Sequence, residues 1–437
     1  MLLRFRAANV RSLREAQELS LVVPEDEESA SARPLRLSDG KQLPVYPVLG
    51  VFGANASGKS NVIAALKHMR EAVLRSYAAW TSYDGIPRDA FALDPEAAAD
   101  PTLYEVDVVL ADGVRWTYGF ELGERRVESE WLFAYPKGRR QVWFDRDASR
   151  EKEFEFPGER VKDRARLART TRGNALLLSR AANDGHPDLS RVYDWFKRNL
   201  HDVTPEEERP RREEYTALRL LESAESRRRV EALLRVADLG IAGAEVERDS
   251  AGRPRVRLIH SGSGQDAVLD WGAESLGTRS WFALIGPLLL ALDTGAVLLI
   301  DELDAGLHSR FAAEVVRLFQ APWVNPGGAQ LIFTAHDPSL LRVPGGTRLL
   351  EPGQLWLTEK DASGATELYP ISDWEPTEEE DLMTSYLAGS FGGVPKVPEG
   401  QVGLHLLRTD ETAYEAAYEP TDEMAHETPT EPEAEES

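Results

Sequence analysis

The chain has 437 residues, enough to bury a large core in one big domain or in two to three smaller ones. It contains no cysteine, which excludes disulfides, thiolate nucleophiles and cysteine-ligated zinc. The formal charge is −23, but 18 acidic residues against Lys396 and Arg408 put −16 of it in residues 373–437, leaving an ordinary −7 for residues 1–372.

Taken in order, residues 3–13 and 19–23 alternate apolar and polar side chains as strands do, and the acidic-then-basic stretch 24–43 reads as a surface loop. The apolar run Val48-Leu49-Gly50-Val51-Phe52 leads into Gly53-Ala54-Asn55-Ala56-Ser57-Gly58-Lys59-Ser60. A helical pattern opens at Asn61, with Val62, Ala65, Leu66, Met69 and Val73 on one face. Strand, glycine-rich loop and helix are the context in which Gly-x-x-x-x-Gly-Lys-Ser cradles phosphates. The glycines let successive N–H groups face a β-phosphate. Lys59 brings a mobile positive charge to the β- and γ-oxygens, and Ser60 brings a hydroxyl to Mg²⁺. The expectation is a nucleoside triphosphate site; the alternative, a glycine turn with a surface lysine, leaves the flanking strand and helix unexplained.

Downstream, Tyr104, Val106, Val108 and Leu110 alternate, Asp112-Gly113 turn the chain, and Val114, Trp116, Tyr118 and Phe120 alternate back as a hairpin. More strands are expected through residues 130–156. Residues 160–240 change to long charged helices, with Tyr215, Leu218, Leu221 and Val230, Leu233, Leu234 as apolar stripes. Arg160, Lys162, Arg164, Arg166, Arg169 and Arg172 against Glu159 and Asp163 make one stretch basic. It is a solvated or partner-facing helix surface, or a track for nucleic-acid phosphates. A second hairpin, residues 244–259, turns at Asp249-Ser250-Ala251-Gly252. No internal repeat is present.

Glu274-Ser275-Leu276-Gly277-Thr278-Arg279-Ser280 precedes the longest apolar run, residues 281–292. Small hydroxyl and glycine residues at a helix start either cap it or bind an anion through free N–H groups. The run itself holds Gly286 and Pro287, is too short to span a bilayer, and reads as a buried helix. Val297-Leu298-Leu299-Ile300 is a buried strand that delivers Asp301 and Glu302 at its C-terminal end, where open α/β sheets bind ligands. Asp301 is the candidate Mg²⁺ ligand and Glu302 the candidate general base. A helix over residues 309–320 then leads to Leu331-Ile332-Phe333-Thr334-Ala335-His336, the next parallel strand, with His336 in reach of the γ-phosphate. Residues 410–437, rich in Glu, Thr and Pro, are expected to be disordered, as a solubilising tail or a docking segment. Met1-Leu2-Leu3-Arg4-Phe5-Arg6 lacks the apolar core of a signal peptide, and a cytoplasmic protein with no membrane partner is expected.

A phosphate loop, a Ser-x-Gly-Thr helix start, Asp-Glu and a strand-end His, in that order, resemble the ATP-binding-cassette heads of the SMC, RecF and OLD ATPases. The chain is most similar to the stand-alone AAA-family members of phage-defence operons, the RloA- and AriA-like proteins. That narrower likeness rests on Asn55-Ala56-Ser57-Gly58-Lys59-Ser60-Asn61, Asn9-Val10-Arg11-Ser12-Leu13, Ala237-Asp238-Leu239-Gly240-Ile241 and Tyr386-Leu387-Ala388-Gly389-Ser390-Phe391-Gly392-Gly393-Val394-Pro395. The resemblance implies an α/β P-loop NTPase of ABC-ATPase head type, with an antiparallel β lobe and an inserted compact helical subdomain. Residues 1–160 would carry the phosphate loop and lobe, 161–240 the helical insertion, 241–400 the signature, acidic pair and His336, and 401–437 the acidic tail.

It also implies ATP with Mg²⁺ and a homodimer that shares each site. Gly53, Asn55, Ala56, Ser57, Gly58, Lys59, Ser60 and Asn61 would hold the nucleotide in one protomer, with Arg11 beside it. Ser275 and Gly277 would cap the γ-phosphate of the other protomer, and the turn 304–308 would line the seam. The signature departs from Ser-Gly-Gly-Gln, as in the OLD branch, and His308 stands where SMC heads carry an acid. Gln141 is a candidate Gln-loop residue by neighbourhood only. An insertion of about 80 residues is too short for SMC arms, and nothing after His336 resembles the nuclease metal set of OLD proteins. Two functions follow. One is an ATP-hydrolysing gate or sensor that holds a separate nuclease or toxin chain in phage defence; the other is a repair or chromosome-maintenance ATPase acting on DNA. The missing arms and missing nuclease favour the first.

Overall fold

In chain order β1 (Leu2–Ala8), β2 (Gln17–Ser20), β3 (Arg33–Arg36), β4 (Gln42–Val45) and β5 (Val48–Gly53) precede α1 (Lys59–Ala79) and the short α2 (Pro95–Ala99). Five strands follow: β6 (Thr102–Val109), β7 (Arg115–Leu122), β8 (Val127–Tyr135), β9 (Gln141–Asp147) and β10 (Phe154–Glu155). Then come α3 (Arg164–Thr170), α4 (Leu177–Asn183), α5 (Leu189–Arg198), β11 (Leu200–Val203), α6 (Arg209–Glu222) and α7 (Ala224–Ala237). The rest is β12 (Ile241–Arg248), β13 (Pro254–His260), β14 (Ala267–Asp270), α8 (Leu276–Thr294), β15 (Val297–Ile300), α9 (Ser309–Gln320), β16 (Gln330–Thr334), β17 (Leu355–Lys360), β18 (Thr366–Pro370) and α10 (Leu382–Leu387). This computed structural model describes residues 1–82, 85–203, 208–237, 240–342, 348–395 and 400. The acidic tail, and Asp238 and Leu239, lie outside them. The chain divides into two units, Met1–Val394 and Pro395–Ser437, and every element above belongs to the first.

Two large sheets carry the architecture. The order β10-β9-β8-β7-β6-β1-β2 is antiparallel throughout, and its β6–β7 hairpin turns at Gly113 (φ 76°) as the Asp-Gly pair predicts. The order β11-β15-β16-β5-β17-β18 is parallel except for its last strand. Parallel strands covered on both faces are apolar at every position, and the period of two decides which core each residue joins. Leu49, Val51 and Leu299 pack with α1 and the antiparallel sheet, whereas Val48, Phe52 and Leu298 pack with α8 and α9. The predicted second hairpin is β12–β13, closed by Gly252 N–H donating to the Asp249 carbonyl.

Three stretches differ from expectation. The first strand stops at Ala8 because Asn9 (φ 49°) and Arg11 (φ 51°) turn left-handed, and the turn closes with Val10 N–H on the Leu13 carbonyl. The expected loop 24–43 contains the β3–β4 hairpin, whose Leu35 and Leu43 pack against the first core. Residues 160–240 are not helical throughout. α3 to α5 are short, and β11 joins the edge of the parallel sheet in register Leu200↔Val297. α4 and α5 pack on α1, while α6 and α7 pack on α8, so this stretch serves both cores. Among the described residues no helix is long and apolar enough to cross a membrane.

Candidate functional site

β5 ends at Gly53 and α1 begins at Lys59, which holds the glycine-rich loop at the C-terminal edge of the parallel sheet. The loop needs left-handed backbone at Gly53 (φ 149°), Ala56 (φ 62°) and Gly58 (φ 111°). Ala56 takes that conformation with a methyl attached, at a cost of roughly 1 kcal/mol. Asn55 and Ala56 form the exposed tip; Ser57 and Lys59 are buried. Among the described residues the N–H groups of Asn55, Ala56, Gly58, Lys59 and Ser60 meet no protein acceptor, as free donors at a helix start do. The Lys59 ammonium donates to the Gly53 and Ala54 carbonyls, each at 2.8 Å. Burial lowers its pKa, and the negative charges of Asp304, Glu302 and Asp301 oppose that shift. The lysine and the acidic turn therefore share one field.

β15 and β16 end side by side. Thr334, fully buried at the last position of β16, donates its hydroxyl to Asp301 Oδ1 and accepts from the Glu302 N–H, both at 2.7 Å. One hydroxyl thus fixes two acids. Glu302 itself is left-handed (φ 56°), and His336 Nε2 lies 3.5 Å from its Oε1. The His336 and Asp337 N–H groups both donate to Asp304 Oδ2, at 2.9 and 2.7 Å. Asp304 therefore ties the acid-bearing turn to the segment that follows β16.

Ser275 caps α8, its Oγ accepting from the Thr278 N–H at 3.0 Å. A Cβ on Gly277 would lie 3.5 Å from the Gly306 carbonyl oxygen. Ser280 joins Asp301, Glu302 and Gly306 around a cavity of about 130 Å³. Among the described residues no hydrogen bond or ion pair joins Ser275 or Gly277 to residues 53–61. Within one chain this helix start neighbours the acidic turn. Arg11 donates from Nε to Asp89 Oδ2 at 2.9 Å, with its Nη1 3.5 Å from Asn61 Oδ1. Arg11, Ser60 and Asp301 line a cleft of about 610 Å³ together with Lys67, His68 and Asp89. His68 Nε2 donates to the Pro87 carbonyl and Nδ1 accepts from Tyr104, and burial lowers its pKa. Ser60 and Asp301 offer oxygen ligands of the kind Mg²⁺ prefers; the rest of its shell would come from phosphate and water. Gln141 opens β9 opposite Ala134 in the antiparallel sheet and lines neither cavity.

A family model described as "AAA domain, putative AbiEii toxin, Type IV TA system" matches residues 48–342. The chain belongs to this AAA-domain family. The match takes in the phosphate loop, the Ser275 helix start, Asp301-Glu302 and His336, which makes the protein a P-loop ATPase by family. No curated protein matches. Similar solved structures include an SMC head bound to the C-terminal winged-helix domain of ScpA, at 12% identity and TM-score 0.43, covering 84% of this chain and 97% of that one. The SMC head domain from Thermotoga maritima aligns at 14% identity and TM-score 0.40, over 84% and 98%. An Smc head with an extended coiled coil bound to the C-terminal domain of ScpA, derived from Pyrococcus furiosus, aligns at 11% and 0.44, over 86% and 97%.

In this AAA-domain chain the motifs name the groups that would meet nucleotide but not those that hold them. Thr334 is one such support, and Thr358, whose Oγ1 lies 2.5 Å from Ser57 Oγ, is another. Tyr386 is a third: its hydroxyl donates to the Gly393 carbonyl and accepts from the Gly53 N–H, which ties Tyr386 to the first residue of the loop. A faint signal existed. Thr334 follows Leu331-Ile332-Phe333 and Thr358 follows Leu355-Trp356-Leu357, and a hydroxyl in a strand buried on both faces must have a partner.

Proposed function

We propose that the protein binds and hydrolyses ATP at residues 53–61, and that two copies share each site as a nucleotide-gated dimer. The observation that carries this reading is the convergence of Lys59, Asp301, Glu302, Asp304 and His336 on one rim: the three acids act on the Lys59 charge, and His336 sits 3.5 Å from Glu302. With ATP in place, Lys59 exchanges the Gly53 and Ala54 carbonyls for β- and γ-oxygens, and the free loop N–H groups complete the cradle. Ser60 and Asp301 would hold Mg²⁺, which would supply charge neutralisation for the phosphates. Glu302 accepts the proton of the attacking water, the water oxygen bonds to the γ-phosphorus, and the β–γ bridging oxygen leaves with ADP. His336 orients Glu302 and reaches toward the γ-phosphate. Arg11 and the cleft it lines receive the nucleoside end.

The biological reading is an ATP-dependent gate in phage defence that controls a separate nuclease or toxin chain. It is supported by the toxin and Type IV TA wording of the family description. The test is direct. Lys59→Ala should abolish ATP binding by calorimetry, and Glu302→Gln should bind ATP while turnover falls about tenfold to a hundredfold. Wild-type affinity in Lys59→Ala sinks the site. A second reading, action on DNA, draws on Arg160, Lys162, Arg164 and Arg169, which are exposed on and before α3, with Arg166 paired to Asp184. Arg172 leaves that face, donating to the Ser76 and Tyr77 carbonyls. Duplex-stimulated turnover that weakens with salt would favour this reading over the gate.

A further inference from the structure

The glycine-rich loop is braced from behind by the hydroxyls of Ser12 and Thr366. Thr366, at the start of β18 and 2% exposed, places Oγ1 2.8 Å from the Ser57 carbonyl oxygen and 2.7 Å from Ser12 Oγ. Asn61 Nδ2 donates to the same Ser12 Oγ at 2.6 Å. The Thr366 hydroxyl is the donor in both contacts, so its one proton is shared between the Ser57 carbonyl and Ser12 Oγ. One connected network results: the Asn61 amide and the Thr366 hydroxyl both donate to Ser12 Oγ, and Thr366 also donates to the Ser57 carbonyl. Both ends lie on the loop and the first turn of α1. The middle members come from elsewhere, Thr366 from 309 residues beyond Ser57. The Thr366 N–H also donates to the Ser12 carbonyl at 2.7 Å, which locks the two supports together.

The geometry has a direct effect on the loop. In a trans peptide the C=O and the following N–H point in opposite directions. Pinning the Ser57 carbonyl against Thr366 therefore turns the Gly58 N–H away from Thr366, toward the mouth of the loop. Gly58, at φ 111°, would let that peptide rotate at little cost if nothing held it. The hydroxyls also fill the space under the glycine: a Cβ on Gly58 would lie 2.2 Å from Thr366 Oγ1 and 2.9 Å from Ser12 Oγ.

We propose that Thr366 is a positioning residue for the phosphate loop, acting through the Ser57 carbonyl, and that it sets the Gly58 N–H toward bound phosphate. This rests on the ATP site proposed above. Calorimetry with ATP on the full chain tests it, using Thr366→Val, which keeps shape and loses the proton, and Thr366→Ser, which keeps the proton. Losing one hydrogen bond of this kind should weaken ATP affinity about tenfold in Thr366→Val. Thr366→Ser should stay within about twofold of wild type, and kcat at saturating ATP should be nearly unchanged in both, since the acids are untouched. Wild-type affinity in Thr366→Val, alongside lost binding in Lys59→Ala, overturns the brace and leaves the site standing. Unchanged binding in Lys59→Ala overturns the site itself. Should Thr366→Val fail to fold by circular dichroism, Thr366→Ala removes the same proton without a branched side chain. A drop of about threefold or more there supports the brace, and no drop defeats it.

Discussion

A single buried hydroxyl can matter more to a carboxylate pair than the carboxylates' own neighbours in sequence. Thr334 holds Asp301 by its side chain and Glu302 by its backbone. Thr334→Val should leave a part-buried acceptor and a part-buried donor unmatched, lowering stability by about 1 kcal/mol in denaturant titrations. Turnover should also fall, because Glu302 is no longer fixed at its left-handed φ; Thr334→Ser should recover most of both. Equal turnover in the valine variant would mean the turn is held by something else. His68 offers a pH test. Its folded pKa is lowered by burial, so below about pH 6.5 the unfolded chain takes up a proton that the folded chain does not. The stability it contributes is present above that pH and is lost as pH falls, with a slope of up to about 1.4 kcal/mol per pH unit. Urea titrations from pH 7.5 to 5 should show a shallower fall in His68→Gln than in wild type; an identical slope would assign the acid sensitivity to other groups.

At the level of elements, α6 and α8 approach closely at Gly286. Gly286 N–H donates to Thr216 Oγ1 at 3.0 Å, and a Cβ there would sit 2.5 Å from that oxygen and 2.9 Å from Tyr215 Cδ1. Gly286→Ala should therefore destabilise by about 1–3 kcal/mol despite the better helix propensity of alanine, and wild-type stability in urea would refute so close an approach. The same elements show what a sequence can display. β5, β15 and β16 and both hairpins are legible because apolar runs and alternation persist over enough residues to show a period. β11 is not: in Leu200-His201-Asp202-Val203 only the two ends are buried, too few positions for any period to emerge. The β3–β4 pair carries Pro34 and Pro44 opposite each other, which reads as loop until the core beneath it is known. At the site, Lys59 and Glu302 are legible because their chemistry needs those side chains at those spacings. Thr366 is silent, and Thr334 and Tyr386 show only a buried hydroxyl or a family string, because what each holds exists only once remote segments meet.

At the scale of the whole molecule, the open question is whether one chain completes its own site. Ser275 and Gly277 border the acidic turn and make no polar contact with residues 53–61 among the described residues. If a partner's nucleotide is what they meet, Ser275→Arg should bind ATP normally yet neither close dimers nor hydrolyse. Mixed with Lys59→Ala, it should regain roughly one working site per heterodimer, read as turnover above the sum of the two variants; a merely additive rate with heterodimers present would defeat the shared site. Sheet order has another consequence, for synthesis. β5 lies between β16 and β17, so 277 residues separate Gly53 from Gln330, the start of the earlier of its two neighbours. At about 5–20 residues per second, a ribosome takes on the order of 15–55 s to make them. Through that interval an apolar strand waits with both edges bare, exposed to aggregation and protease. Nascent chains stalled before residue 330 should be cleaved around β5 and should lean on chaperones; chains released past β17 should be protected there.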